Sequence, residues 1–193
     1  ERTVNVLPMA NFQAPEVQWM SLAPILIVLG GAVLGILVEA FAPAKARRPM
    51  VIGLSILATS GAAAVLGLRW VPVLEAPASL GEYIEDPLTI AAQSILMIIG
   101  FVAVLVMADR TSVGDGAFAG QPSDRPDSAA EELTDRKGYQ RSEMFPLTLF
   151  SLGGMMIFPA ADNFVTLFVA LEVMSLPLYI MAATARHRRQ LSF

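Results

Sequence analysis

The sequence predicts an all-α polytopic membrane protein with five transmembrane helices. Of its 193 residues, 55% are hydrophobic and only 16% are charged, and the mean hydropathy is +0.60. A soluble globular domain carries about a quarter charged residues, so this composition does not fit one. The distribution of charge is the second observation, because five long apolar stretches alternate with segments that hold nearly all of the charged residues.

The composition also excludes several classes of function. The chain has no cysteine and a single histidine, so iron–sulfur clusters, thiolate zinc sites and histidine-ligated haem are not expected on it. The net charge of -4 argues against a nucleic-acid-binding protein. We therefore expect no redox centre, metal or cofactor on this chain, and we interpret His187 as a solvated residue at the membrane interface.

Each predicted span approaches the roughly 20 residues that a helix needs to cross about 30 Å of hydrocarbon. The fourth is the shortest. The five ranges are 20–41, 50–71, 88–108, 144–161 and 164–185.

Local motifs within and between the spans predict helix ends and close contacts. Asp86 with Pro87 is typical of the start of a helix, and Asp162 and Asn163 are typical of caps before the fifth span. Small residues allow neighbouring helices to approach closely. These are Gly31 and Gly35, Ser60 and Ala64, and the pair Gly153 and Gly154.

Charge placement predicts the orientation in the membrane. Basic residues cluster after the first, third and fifth spans, whereas the opposite loops hold only Arg2 and Arg69 among several acids. The positive-inside rule then places the N-terminus outside and the C-terminal end of the chain in the cytoplasm. Residues 109–142, rich in Gly, Ser, Asp and Pro, are predicted to form a flexible cytoplasmic loop, with a dedicated docking element as the alternative.

Glu172 is the main candidate for a functional residue. It lies eight positions into the fifth span, about 12 Å below the outer boundary, and no basic residue shares that span. A carboxylate at this depth costs about 3 kcal/mol or more in lipid, so such residues face protein or water and mark ion or proton paths. We predict that Glu172 is a proton relay. The alternative is a neutral residue that is hydrogen-bonded to a neighbouring helix for packing alone.

Three further residues of the fifth span are candidates for supporting roles. Pro177 cannot donate a hydrogen bond to the carbonyl of Val173, so a bend one turn past Glu172 is expected. Ser175 and Tyr179 supply hydroxyl groups in the same region. Ordinary helix packing is the alternative interpretation for all three. Glu39 and Glu143, at cytoplasmic span ends, are expected to reach the headgroups.

The fifth span carries a resemblance to a known family. The pattern Leu171-Glu172-x-x-Ser175-Leu176-Pro177-Leu178 resembles the fifth helix of the antiporter-like subunits of respiratory complex I. The preceding Gly153-Gly154 helix and the following basic segment, residues 186–192, are most similar to the subunit N family of the bacterial proton-translocating NADH:quinone oxidoreductase. The segment Leu37–Phe41 and the motif Asp86-Pro87-Leu88 agree more loosely.

This resemblance implies a fold of about fourteen helices, of which the chain covers the first five. It implies a lysine partner for Glu172 on a later helix, beyond Phe193, so we expect these 193 residues to be part of a longer protein. The implied function is coupling of electron transfer from NADH to quinone to proton translocation through a glutamate and lysine relay.

The resemblance also implies partners and a location. NADH, FMN, iron–sulfur clusters and quinone are expected on other subunits, and the partners are other membrane and peripheral subunits, above all neighbouring antiporter-like ones, and the lipid bilayer. The expected location is the bacterial inner membrane. A subunit of a multi-subunit cation/proton antiporter is one alternative and a structural membrane scaffold is another. Co-purification with NADH-oxidising flavin subunits would distinguish a subunit of the NADH:quinone oxidoreductase from a subunit of the antiporter.

Overall fold

The computed structural model describes residues 18–79, 81–108 and 142–184. Of the predicted cytoplasmic loop, only Ser142 falls within these residues, and His187 with its basic neighbours lies outside them. In the described residues the elements are α1 (Trp19–Phe41), α2 (Ala44–Glu75), β1 (Ala78–Ser79), β2 (Ile84–Glu85), α3 (Pro87–Ala108), α4 (Met144–Ile157), a 3-10 turn (Phe158–Ala160) and α5 (Phe164–Thr184).

The five predicted spans correspond to the five helices. Four of these helices are long and apolar enough to cross a membrane, and the apolar helix over Met144–Ala160 is shorter. The largest difference concerns α2, which has 32 residues instead of the predicted stretch 50–71. Hydropathy detects only the part of a helix that suits hydrocarbon, whereas the backbone hydrogen bonds of α2 also include its basic first turns, residues 44–49, and a last turn over residues 72–75.

Helix α4 lies at the centre of the described bundle. It contacts α1, α2, α3 and α5, and nine of its fourteen residues are buried, among them Leu149 and Met156. By contrast, over residues 164–183 of α5, only Ala170 and Pro177 are buried. The shortest apolar helix is therefore the one with the most protein neighbours, while α5 exposes most of its apolar surface.

Glycines mediate the close helix contacts. A Cβ atom on Gly31 would lie 2.6 Å from the Cβ atom of Ala58 on α2, and one on Gly35 would lie 3.0 Å from Pro146 on α4. The predicted packing role of these glycines is confirmed, because real Cβ atoms do not approach as closely as at Gly31, and the contact at Gly35 would require Pro146 to shift by a few tenths of an ångström. Ser60 and Ala64 were expected on the same kind of contact, but both are exposed in the described structure. On α2, the buried Ala58 and Ala62 lie in the core instead.

A short β-hairpin connects α2 to α3 and was not predicted. Its strands pair antiparallel, Ala78 with Glu85 and Ser79 with Ile84. Gly81 in the turn has a φ of 83°, which is a conformation that other residues rarely adopt. Tyr83 also forms an isolated antiparallel bridge with Ala161, so the hairpin is fixed to the connection between α4 and α5. We call the end of the bundle that carries these strands the hairpin end.

The predicted helix starts are largely confirmed. The carboxylate of Asp86 accepts a hydrogen bond from the backbone N–H of Thr89 at 2.6 Å, and the amide oxygen of Asn163 accepts one from that of Thr166 at 2.7 Å. Each side chain thereby satisfies one of the free N–H groups of the first turn. Asp162 makes a different contact, since its backbone N–H donates to the carbonyl of Glu82 at 3.2 Å.

Candidate functional site

Glu172 lies in the middle of α5, on a helix that is continuous from Phe164 to Thr184. Its side chain is partly exposed. Within residues 18–79, 81–108 and 142–184, no cation lies within ion-pair distance of its carboxylate and no group donates a hydrogen bond to it. Any group that neutralises a charge on Glu172 must therefore come from outside the described residues.

The three predicted supporting residues differ in their surroundings. Ser175 donates a hydrogen bond to the backbone carbonyl of Glu172 at 3.5 Å and makes no contact with the carboxylate. Tyr179 is 68% exposed. Pro177 is buried, and α5 continues through it without a break. The structure thus places a buried proline one turn from Glu172 and does not bring the two hydroxyls to the carboxylate.

An apolar groove of about 470 Å³ adjoins the middle of α5. It lies between α3, α4 and α5, and its lining includes Ile95, Met155, Leu171 and Met174. Leu171 and Met174 are one turn apart and share a face of α5, whereas Glu172 is rotated about 100° from Leu171. Glu172 is not among the residues that line the groove, so its side chain points away from this apolar space.

A second polar cluster, which the sequence did not predict, occupies the hairpin end. Arg69 near the end of α2 forms an ion pair with Glu85 of β2, and its Nε donates to the Oε1 atom of Glu85 at 3.0 Å. The same guanidinium donates to the hydroxyl of Ser21 on α1 at 3.0 Å. Glu85 is only 4% exposed. The guanidinium therefore satisfies this buried carboxylate. Its contacts join three elements, α1, α2 and β2.

Tyr83 and Gln93 extend this cluster to α4. Tyr83 donates to the backbone carbonyl of Ser21 at 3.2 Å. Gln93 on α3 donates to the hydroxyl of Tyr83 at 3.2 Å and to the carbonyl of Met156 at 3.0 Å. Burial raises the pKa of Tyr83, and the hydrogen bond from Gln93 opposes this only in part. The hydroxyl therefore stays protonated at neutral pH and remains a donor to Ser21.

Sequence reasoning treated Arg69 only as a minority charge on the outer side. The available signal was its isolation, since Arg69 and Arg2 are the only basic residues in segments otherwise rich in acids. A cation at the end of an apolar helix has to find an anionic or polar partner. The identity of that partner depended on the hairpin, which local sequence did not reveal.

The opposite end of the bundle carries a looser ion pair. Glu39 of α1 and Arg47 of α2 lie 3.5 Å apart between Oε2 and Nε, and the Arg47 side chain is 36% exposed. Arg47 also donates to the carbonyl of Ala42 at 3.3 Å. Glu143 is exposed. Among the residues that the structure describes, no group of three His, Cys, Asp or Glu side chains could hold a metal ion.

The fold and the composition define the class of this chain, a polytopic α-helical membrane protein with one acidic residue inside its last described helix. No protein-family model matches it. Curated relatives are informative: NADH-quinone oxidoreductase subunit N of Beutenbergia cavernae is 48% identical over 192 residues, which is 94% of this chain and 36% of the relative.

Other relatives carry the same name. Subunit N of Saccharopolyspora erythraea is 39% identical over 95% of this chain and 36% of its own length, and that of Mycobacterium tuberculosis is 38% identical over 93% and 37%. The chain is a homologue of the NADH-quinone oxidoreductase subunit N proteins. It spans about a third of the length of the curated relatives it matches.

Proposed function

We propose that this chain is part of a membrane-arm subunit of a proton-translocating NADH:quinone oxidoreductase, in which Glu172 relays protons. The relatives' names support the membership in this complex. The observation that carries the relay is the carboxylate itself, which lies in an apolar helix without a cationic partner in the described residues. The names also favour this function over the antiporter alternative.

The physical argument starts from the cost of the charge. A carboxylate near the centre of a membrane helix costs about 2.5 to 3.5 kcal/mol in insertion experiments. Neither α3 nor α4, the helices beside the groove, has a titratable side chain over Pro87–Ala108 and Met144–Ala160. Glu172 therefore needs a proton or an external cation to offset its charge. A carboxylate that exchanges a bound proton for a nearby cation acts as a step in a proton path.

The mechanism assigns a limited task to this chain. Redox chemistry takes place on other subunits, where NADH, FMN, iron–sulfur clusters and quinone are held. A lysine on a later helix of the full-length protein approaches or leaves Glu172 as the complex changes state, and the carboxylate releases or takes up a proton in response. Moving one charge across 100 mV requires about 2.3 kcal/mol, so this step has to be coupled to quinone reduction.

The decisive test replaces Glu172 with Gln in the full-length subunit of the assembled complex. This substitution keeps the shape of the side chain and removes its charge, so we expect a severalfold loss of protons translocated per NADH oxidised and slower NADH oxidation through coupling. Pumping is measured in reconstituted vesicles that contain equal amounts of assembled enzyme. Glu172→Asp is expected to be milder.

The matched control is Glu143→Gln, which removes an exposed carboxylate at the start of α4 and should leave pumping unchanged. An unchanged rate and stoichiometry in Glu172→Gln would contradict the relay and leave Glu172 as a packing residue. If the unmodified protein purified without any NADH-oxidising partner subunits, the assignment to this complex would instead be contradicted.

The proposed orientation is tested separately with single cysteines, since the chain has none. Ser123→Cys lies in the predicted cytoplasmic loop and Ser79→Cys on the exposed strand β1. We expect a membrane-impermeant maleimide to label Ser123→Cys only in inside-out vesicles and Ser79→Cys only in spheroplasts. Labelling in the reverse pattern would invert the topology and the direction of the proposed proton path.

A further inference from the structure

The backbone of α5 is anchored to α4 immediately after Glu172. Ser151 of α4 is 2% exposed, and its hydroxyl donates a hydrogen bond to the backbone carbonyl of Met174 at 3.0 Å. This bond joins two helices, whereas the hydroxyls of Ser55, Ser60 and Ser94 bond to carbonyls of their own helices. Met174 is two residues from Glu172, so the bond fixes the turn that carries the carboxylate.

Gly154, one turn further along α4, lets the two backbones touch. A Cβ atom at Gly154 would lie 2.8 Å from the Cα atom of Met174 and 2.9 Å from the carbonyl carbon of Val173, and it would also collide with the backbone nitrogen of Met174. Backbone atoms cannot rotate away as a side chain can. Any larger residue at Gly154 would therefore displace the turn of α5 that follows Glu172.

This turn of α5 needs external support because of Pro177. Pro177 has no N–H group, so the carbonyl of Val173 loses its normal partner within the helix. A helix that lacks one bond of its ladder bends more easily at that point. Apart from α4, the described structure gives α5 little support, because only 11% of the residues in its most apolar stretch are buried.

We propose that Ser151 and Gly154 are positioning residues for Glu172: together they fix the depth and the rotation of α5 at the carboxylate. The proposal rests on the proposed relay function of Glu172. The interaction of a charge with its partner varies with their separation, and more steeply in a medium of low dielectric constant than in water. A displaced turn therefore changes how readily Glu172 exchanges its proton.

The test measures the pH dependence of proton pumping per NADH in the assembled complex. The only other titratable group on α5 is Tyr179, and α3 and α4 have none over Pro87–Ala108 and Met144–Ala160. Ser151→Ala removes one hydrogen bond, which changes an equilibrium about fivefold. We expect the midpoint of the pH profile to shift by about 0.7 pH unit, and Ser151→Thr, which keeps the hydroxyl, to restore it.

Two matched variants separate positioning from general packing. Ser94→Ala removes a hydroxyl that bonds within α3 at 2.7 Å, and it should leave the pH profile unchanged. Gly154→Ala should shift the profile at least as far as Ser151→Ala. Gly100→Ala should shift it less, because the atoms nearest to its Cβ atom would belong to the side chain of Leu152 and not to a backbone.

The outcomes distinguish this inference from the proposed function. A pH profile that is unchanged in both Ser151→Ala and Gly154→Ala, while Glu172→Gln abolishes pumping, would overturn the positioning role alone. A neutral Glu172→Gln would overturn the relay and the positioning role with it. Should Gly154→Ala prevent assembly, Ser151→Ala still decides the question, because it removes only one oxygen atom.

Discussion

Replacing Arg69 with Met is expected to lower the free energy of unfolding of the full-length protein by about 3 kcal/mol or more. The substitution leaves the carboxylate of Glu85, which is 4% exposed, without its cation. It also removes the donor to the hydroxyl of Ser21. Removing one partner of a buried ion pair costs more than the pair itself contributes, because an uncompensated charge remains. The change is measured by titrating the protein, solubilised in a mild detergent, with a denaturing detergent and following its unfolding.

Three comparison variants test this reasoning. Glu85→Gln should cost less than Arg69→Met, since the Arg69 side chain is 21% exposed and reaches water. The double variant Arg69→Met with Glu85→Leu should be more stable than Arg69→Met alone, because no charge is left buried. Arg47→Met breaks the pair with Glu39, in which the two side chains are more exposed, at 36% and 18%, and should cost less than Arg69→Met. Equal costs for Arg69→Met and Arg47→Met would contradict a buried structural ion pair at the hairpin end.

The helices of this fold were predictable because the chemistry of a membrane helix is local. Each span had to be about 20 apolar residues long, and α1, α3 and α5 begin and end within one residue of the predicted positions. The caps at Asp86 and Asn163 were equally local. The start of α2 was missed because its first turns, residues 44–49, are mostly basic or small and lie before the apolar stretch that marks the span.

The hairpin end was not predictable because its contacts join residues that are far apart in the sequence. Arg69 and Ser21 are 48 residues apart, and Gln93 and Met156 are 63 residues apart. No local pattern indicates such pairs. The two strands contribute only two residues each, which is too short for an alternating pattern of apolar and polar residues to be detected.

The site around Glu172 combines local features that the sequence predicts with a long-range contact that it does not. The position of Glu172 in the middle of an apolar helix followed from the sequence alone, and so did the proline five residues later. The anchor between Ser151 and Met174 did not, since a serine in an apolar helix bonds equally well to its own backbone, as Ser94 does. The predicted role of Gly154 as a small packing residue was right in kind. Its partner, the backbone beside Glu172, needed the structure.

Adjacent glycines on α1 should respond to alanine with opposite signs. A Cβ atom on Gly30 meets nothing within 4 Å, whereas one on Gly31 would lie 2.6 Å from the Cβ atom of Ala58. Alanine is favoured over glycine in a helix by about 1 kcal/mol, so Gly30→Ala should be neutral or stabilising by up to that amount. Gly31→Ala should destabilise by about 1 to 3 kcal/mol, because α1 and α2 must separate.

A compensating variant makes the Gly31 prediction specific to this contact. Ala58→Gly removes the methyl group that a Cβ atom on Gly31 would meet, and the double variant Gly31→Ala with Ala58→Gly moves that methyl group from α2 to α1. We expect the double variant to recover most of the stability lost in Gly31→Ala, measured by the same detergent titration. Additive losses in the double variant would show that the two helices do not meet at this point. A destabilised Gly30→Ala would place a neighbour where the described structure has open space.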